Sequence, residues 1–309
     1  MKGQIENSLT WIFVSIVGVV ILAFFIFFAS GMIDLGGAKV SFQIQNMLYD
    51  KVLAMGYANN QKDTIDLPRT SNVYLNCNKL TVEDMNPQTV NLIIFGPREM
   101  QGNKLFIWSK RWEYPFWIAN IFYLKDSKNK IYVIADDETK LELISGDEKT
   151  FIDFLNFSTP SKNILNAEKS SKILKFVFIN KPVDNTLRQY GEIIEIDGKE
   201  SGIVTFNDGS SYYIGYEMML GAIMSDSKGN YDCMKDKALE QLQLVSDIYI
   251  RKSNFLSQKV QDPNCGYALM SRTLGLFYKS NSASGFENFR QNLADENSNL
   301  RGSGCVPLF

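Results

Sequence analysis

Lys172–Asn180 reads KILKFVFIN, a short and nearly unbroken apolar run. Runs of this kind form strands buried on both faces of a sheet. Two further β-rich segments follow, Gly191–Asp197 and Gly202–Phe206, and then the turn Asn207-Asp208-Gly209-Ser210, which has hairpin chemistry. Tyr212–Ile223 suits either strand or helix. Upstream, β-rich runs stand at Asn72–Cys77, Val90–Phe95, Lys104–Trp108 and Ile131–Ala135. Gly96-Pro97 and Gln101-Gly102-Asn103 read as breaks between them.

Helical patterns flank these strands. Ile44, Leu48, Val52 and Met55 repeat on one face of a helix over Val40–Met55, expected to pack on the core. Glu148–Phe157 reads as a helix with Asp147 and Glu148 at its positive end. Tyr231–Ser257 carries Met234, Ala238, Leu242, Val245 and Tyr249 on one stripe. Gly266–Lys279 and Ser284–Ala294 are shorter helices, and the tail GSGCVPLF is a loop. The expectation is an α/β domain with a mixed sheet, flanking helices and a helical C-terminal third.

Trp11–Ala29, WIFVSIVGVVILAFFIFFA, carries no charge. Its nineteen residues span roughly 28 Å as a helix, close to a bilayer core of about 30 Å. The expected layout is a cytoplasmic tail at 1–8, a transmembrane helix at 9–30, a Gly-rich tether at 31–37 and an extracytoplasmic domain at 38–309. Lys2 before the run and Asp34 after it place the N-terminus inside by the positive-inside rule.

Met1-Lys2-Gly3-Gln4, followed by a polar stretch and this apolar run, resembles the class III signal peptide of archaeal type IV pilin-like proteins. The resemblance implies cleavage between Gly3 and Gln4 that leaves the helix on the mature protein. Glu6 and Ser8 then fall at the third and fifth mature positions, where the family usually has Ser and Glu. Gly31, Gly36 and Gly37 interrupt the continuous helix that a filament subunit needs, so a solitary anchored domain is the preferred reading. Phe95–Leu124 also resembles a segment of uncharacterised anchored archaeal proteins, which implies an address and no activity.

Composition narrows the chemistry. The chain has no His, which removes Ser-His-Asp and Cys-His systems and histidine zinc sites. Its formal net charge of −2 gives no basic footprint for nucleic acid. No phosphate-binding glycine loop is present, and no cofactor is expected. Cys77, Cys233, Cys265 and Cys305 form no C-x-x-C pair. In an extracytoplasmic domain they are disulfide candidates, and chain reach favours Cys265–Cys305. Asp136 and Asp137 follow a strand and are the weak candidates for a divalent cation, with a solvated turn as the simpler reading. Asn156-Phe157-Ser158 is a glycosylation sequon. Trp108, Trp112 and Trp117, interleaved with Lys110 and Arg111, are either a glycan- or partner-binding platform or core. The functional expectation is a membrane-anchored surface protein with a structural, adhesion or assembly role. A pilin-like subunit or accessory factor and an anchored carboxylate-dependent hydrolase are the alternatives.

Overall fold

The computed structural model describes residues 17–23, 25, 41–55, 60–77, 79–144, 155–157, 160–169, 173–260, 262 and 264–309. Two sheets form the frame, where a single mixed sheet was expected. The first has the order β3-β2-β1-β5-β6-β4, with β1 Lys62–Asn76, β2 Lys79–Val82, β3 Gln88–Thr89, β4 Ile93–Phe95, β5 Glu99–Glu113 and β6 Trp117–Asp126. Its pairings are antiparallel except that β4 runs parallel to β6. The second has the order β11-β10-β9-β8-β7, with β7 Asn129–Ile134, β8 Ile173–Ile179, β9 Glu192–Gly198, β10 Ser201–Phe206 and β11 Gly209–Ile214. There β7, β8 and β9 are parallel, while β9, β10 and β11 are antiparallel.

The helices are α1 at 41–55, α2 Asp137–Ile144, α3 Lys162–Glu168, α4 Gly215–Met224, α5 Lys228–Lys259, α6 Tyr267–Phe277 and α7 Ala283–Gly302. The ambiguous segment Tyr212–Ile223 divides at Gly215: β11 ends there and α4 begins. Eight of the ten residues of α4 are buried, because this helix lies between the two sheets. A helix apolar on all sides requires such a place. Gly221 makes the fit possible, since a Cβ there would stand 2.6 Å from the Phe95 ring of β4.

Three apolar clusters follow from this layering. The largest gathers Trp108, Trp112 and Tyr123 of the first sheet, Val177, Ile194 and Val204 of the second, α4, and the inner faces of α5, α6 and α7. Ile44, Leu48, Val52 and Met55 of α1 cover the other face of the first sheet, as their spacing predicted. A smaller cluster joins Leu165 of α3 to Tyr132, Phe176 and Phe178. It covers only part of the second sheet's outer face, and Ile203 on β10 stays 52% exposed.

Several expectations change. Gln101-Gly102-Asn103 does not break the chain but lies inside β5, beside a register shift against β1. The aromatic stretch after Pro115 is strand β6, paired with β5 and buried on both faces, so that Tyr123 joins the largest cluster and Phe122 the cluster under α1. For Glu148–Phe157, residues 145–154 lie outside the described residues. Asn156 itself is extended, exchanging backbone bonds with Ile131 and Val133 along β7. Helix α3 was not foreseen, and α7 extends past Ala294 to Gly302.

Among the described residues no helix is long and apolar enough to cross a membrane. Of the run 11–29, residues 17–23 and 25 are described; they are helical and exposed. The rest of the run, the tether at 31–37 and the Gly3–Gln4 junction lie outside the described residues.

Candidate functional site

The strand ends of the second sheet border a concavity. The β9–β10 turn needs Gly198 at a φ of +118°, a conformation that side chains with a Cβ rarely adopt. The turn carries Asp197 and Ile203 to the outer face. The first turn of α7 stands opposite, begun by Ser282, whose hydroxyl accepts from Gly285 N at 3.2 Å. Between them lies a cleft of about 730 Å³. Asp197, Ile203 and Tyr212 line the sheet side, and Ser282, Glu287 and Asn288 line the helix side.

A second cleft of about 450 Å³ adjoins the first and shares Asp197 and Ile203 with it. Asn180, Lys181, Glu195 and Thr205 also border it, so it opens at the carboxyl end of β8. Ligands of open α/β sheets commonly bind at that edge. Asn180 is engaged within the protein: its side chain exchanges two hydrogen bonds with the Gly198 backbone, of 2.8 and 3.0 Å.

Charge in the larger cleft is one-sided. Among the described residues lining it there are two carboxylates, Asp197 and Glu287, and no Lys or Arg. Glu287 is already committed, accepting from Tyr114 Oη at 2.7 Å and from Arg290 Nε at 3.1 Å. Burial pushes its pKa up, but the bonds from Arg290 and Tyr114 outweigh it and hold the carboxyl below its ordinary value. Such a lining suits neutral hydroxyl- or amide-bearing groups, or a cation, and disfavours anions.

One cluster beside the cleft was not foreseen. Lys235 Nζ donates to Ser211 Oγ at 2.8 Å and to Asp232 Oδ1 at 2.7 Å. Ser211 donates to Asp232, and Lys228 pairs with the same carboxylate. Burial raises the Asp232 pKa, yet the bonds from Lys228, Lys235 and Ser211 prevail and lower it. A Ser–Lys contact can mark a hydroxyl nucleophile with an amine base. Here Lys235 donates to both Ser211 and Asp232, and the Ser211 hydroxyl donates to the carboxylate, not to the amine. The cluster ties the edge strand β11 to α5. Its helical half was legible as Lys228, Asp232 and Lys235 at spacings of four and three, but its strand half had no local signal.

The sequence-based candidates fall in separate places. Trp108 and Trp112 are fully buried and belong to the core, which removes them as a binding platform. The reason is register: both point inward from β5 toward α4. Trp117 is 51% exposed, with the Arg111 guanidinium 5.8 Å from its ring centroid. The cation–π expectation also holds for Lys110, 5.4 Å from the Trp108 ring.

Asp136 caps α2, accepting from Thr139 N at 2.7 Å, and this bond holds its carboxyl below the ordinary range. Asp137 pairs with Lys140 at 3.1 Å. The Asp136 bond to Thr139 and the place of Asp137 in the first turn put both aspartates at the start of α2, and among the described residues no group of three potential metal ligands is found. Asn156 stands at the edge of β7, with its backbone engaged.

Cys265 is joined to Cys305 with Cα atoms 5.8 Å apart, the pairing that chain reach favoured. Cys77 is joined to Cys233 with Cα atoms 5.6 Å apart, linking the end of β1 to α5 across a separation of 156 residues. Comparison with protein-family models, curated proteins and solved structures finds no match to this chain.

Proposed function

We propose that this chain is a single-pass membrane protein whose domain at 38–309 works outside the cytoplasm in a structural, adhesion or assembly role. The observation that carries the reading is the pair of disulfides, which use all four cysteines. Disulfides persist in oxidising compartments and are rare in the reducing cytosol. The uncharged run Trp11–Ala29 supplies the anchor, and Lys2 before it supports an inward N-terminus.

A non-enzymatic role is supported by how the reactive groups are used. Asp136 caps a helix, Glu287 holds Tyr114 and Arg290, and Ser211 and Lys235 are locked to Asp232. The exposed sheet face with its two joined clefts supplies a surface for a protein or glycan partner.

Membrane fractionation tests the anchor. The full chain should stay with the membranes after an alkaline carbonate wash, and deletion of residues 9–30 should release it. Full release of the intact chain by the wash would refute the anchored reading.

A further inference from the structure

The C-terminal helices carry an apolar surface with no covering element among the described residues. On α5, Leu244, Ile248 and Phe255 are exposed by 60, 64 and 58%. At 3.6 residues per turn they lie within about 40° of one another, on the side away from the buried Leu242, Ser246 and Ser253. The neighbouring α6 presents Leu269 and Leu276, 57 and 47% exposed, on its own outward face. Exposed apolar side chains gathered on one helix face, rather than scattered singly, are the kind of surface that marks an interaction site.

The charges on the stripe suggest its occupant. Asp247 and Arg251 flank Ile248, and among the described residues neither forms an ion pair. Turn a second α5 antiparallel about a twofold axis passing midway between residues 249 and 250. Leu244 then meets Phe255 of the other copy, and Ile248 meets the aliphatic stem of Arg251. Asp247 and Arg251 lie on the same flank of the stripe, so each comes within reach of the opposite charge on the other copy. A surface that matches itself in both apolar positions and charge is what an isologous interface requires.

We infer that this protein self-associates through α5 as an antiparallel, twofold-symmetric pair centred between Ile248 and Arg251. The placement within the domain fits such a contact. Tyr249 packs on Phe116 at the β5–β6 turn, with ring centroids 4.6 Å apart. The chain enters the domain at the opposite end, where Gln45 near the start of α1 bonds to Asn86 O at 2.9 Å. On the anchored reading, which this placement rests on, the pairing surface faces away from the bilayer. The pairing itself does not depend on the anchor.

Sedimentation of the full chain in mild detergent tests the inference across a range of concentrations. A monomer–dimer equilibrium is expected, weakened roughly thirtyfold or more by Ile248→Asp, as for a central interface residue. Asp247→Arg and Arg251→Asp should each weaken the dimer, and the two together should restore it. All three positions are on the surface, and circular dichroism verifies folding.

A monomer at every concentration overturns the inference. So does a dimer indifferent to Ile248→Asp, which would be joined elsewhere, as through residues 11–29. If Asp247→Arg strengthens association while Arg251→Asp weakens it, the two charges do not pair across copies and the inference is wrong. None of these outcomes bears on whether the chain is anchored, which the carbonate wash reads separately.

Discussion

Lys175 gives the sharpest prediction. It sits on the interior strand β8, between β9 and β7, 5% exposed, and its ammonium donates to Ser225 O at 2.5 Å and Ile223 O at 3.3 Å. These carbonyls close the C-terminal end of α4, where a cation is favoured. Burial nevertheless dominates. It lowers the Lys175 pKa from 10.5 to about 8, against the opposing pull of Glu192 and Asp226. Between those two values the unfolded chain holds a proton that the folded protein has released. Stability therefore rises with pH across that window, and below pH 8 the buried charge costs about 3 kcal/mol.

Lys175→Met removes this titration while keeping most of the side-chain volume. The two carbonyls lose their donor, at about 1–3 kcal/mol each, so the net change at neutral pH is small or unfavourable. The slope is the diagnostic quantity. Urea unfolding of both proteins in detergent at pH 7.5 and 9.5 should show the wild type gaining about 2 kcal/mol relative to the variant. Lys237, also lowered by burial, titrates in both proteins and cancels in the difference. The raised tyrosines cancel in the same way. A difference that stays flat with pH would refute the account of Lys175 as a buried ammonium.

Two further outcomes test the packing. Gly221→Ala places a methyl group against the Phe95 ring and should cost about 1–3 kcal/mol in urea unfolding, while Ala222→Gly acts only through helix propensity, at about 1 kcal/mol, and the loss of a buried methyl group. Cys77→Ser with Cys233→Ser opens the long covalent loop and should cost about 5 kcal/mol by chain entropy, seen as a lowered urea midpoint; an unchanged midpoint would mean the bond is not formed.

Local periodicity carried much of this fold. The stripe Ile44, Leu48, Val52 and Met55 located α1, and the run at Lys172–Asn180 located β8, an interior strand of the second sheet. The turn Asn207-Asp208-Gly209 joins β10 to β11 as its chemistry indicated. What stayed hidden depends on pairing between distant segments. β6 is buried on both faces, so its apolar residues run together without alternation, and only its packing shows which ring enters which cluster. Gly102 looked like a break because a bulge and a loop use the same residue type. The division of the strands into two sheets follows from α4 lying between them, a placement that the apolar sequence Met218–Met224 permits but does not specify.

The candidate site was less legible. Asp136 has the same local sequence whether it caps a helix or holds a cation; the difference lies in the Thr139 N–H that it accepts. The cleft between β10 and α7 joins residues about eighty positions apart, and most of its lining is serine, asparagine and glycine, types that also fill ordinary loops. Ser211 acquires its meaning from Asp232 and Lys235, 21 and 24 positions further on.

The central claim is that the folded domain stands outside the cytoplasm with both disulfides formed. Labelling of intact cells with a membrane-impermeant maleimide reads it directly, using a Lys199→Cys variant on the exposed β9–β10 turn. The account predicts that this cysteine is labelled on intact cells, while the four native cysteines react only after reduction. Labelling of Lys199→Cys only after the cells are broken open, or native cysteines that react without reductant, would contradict it.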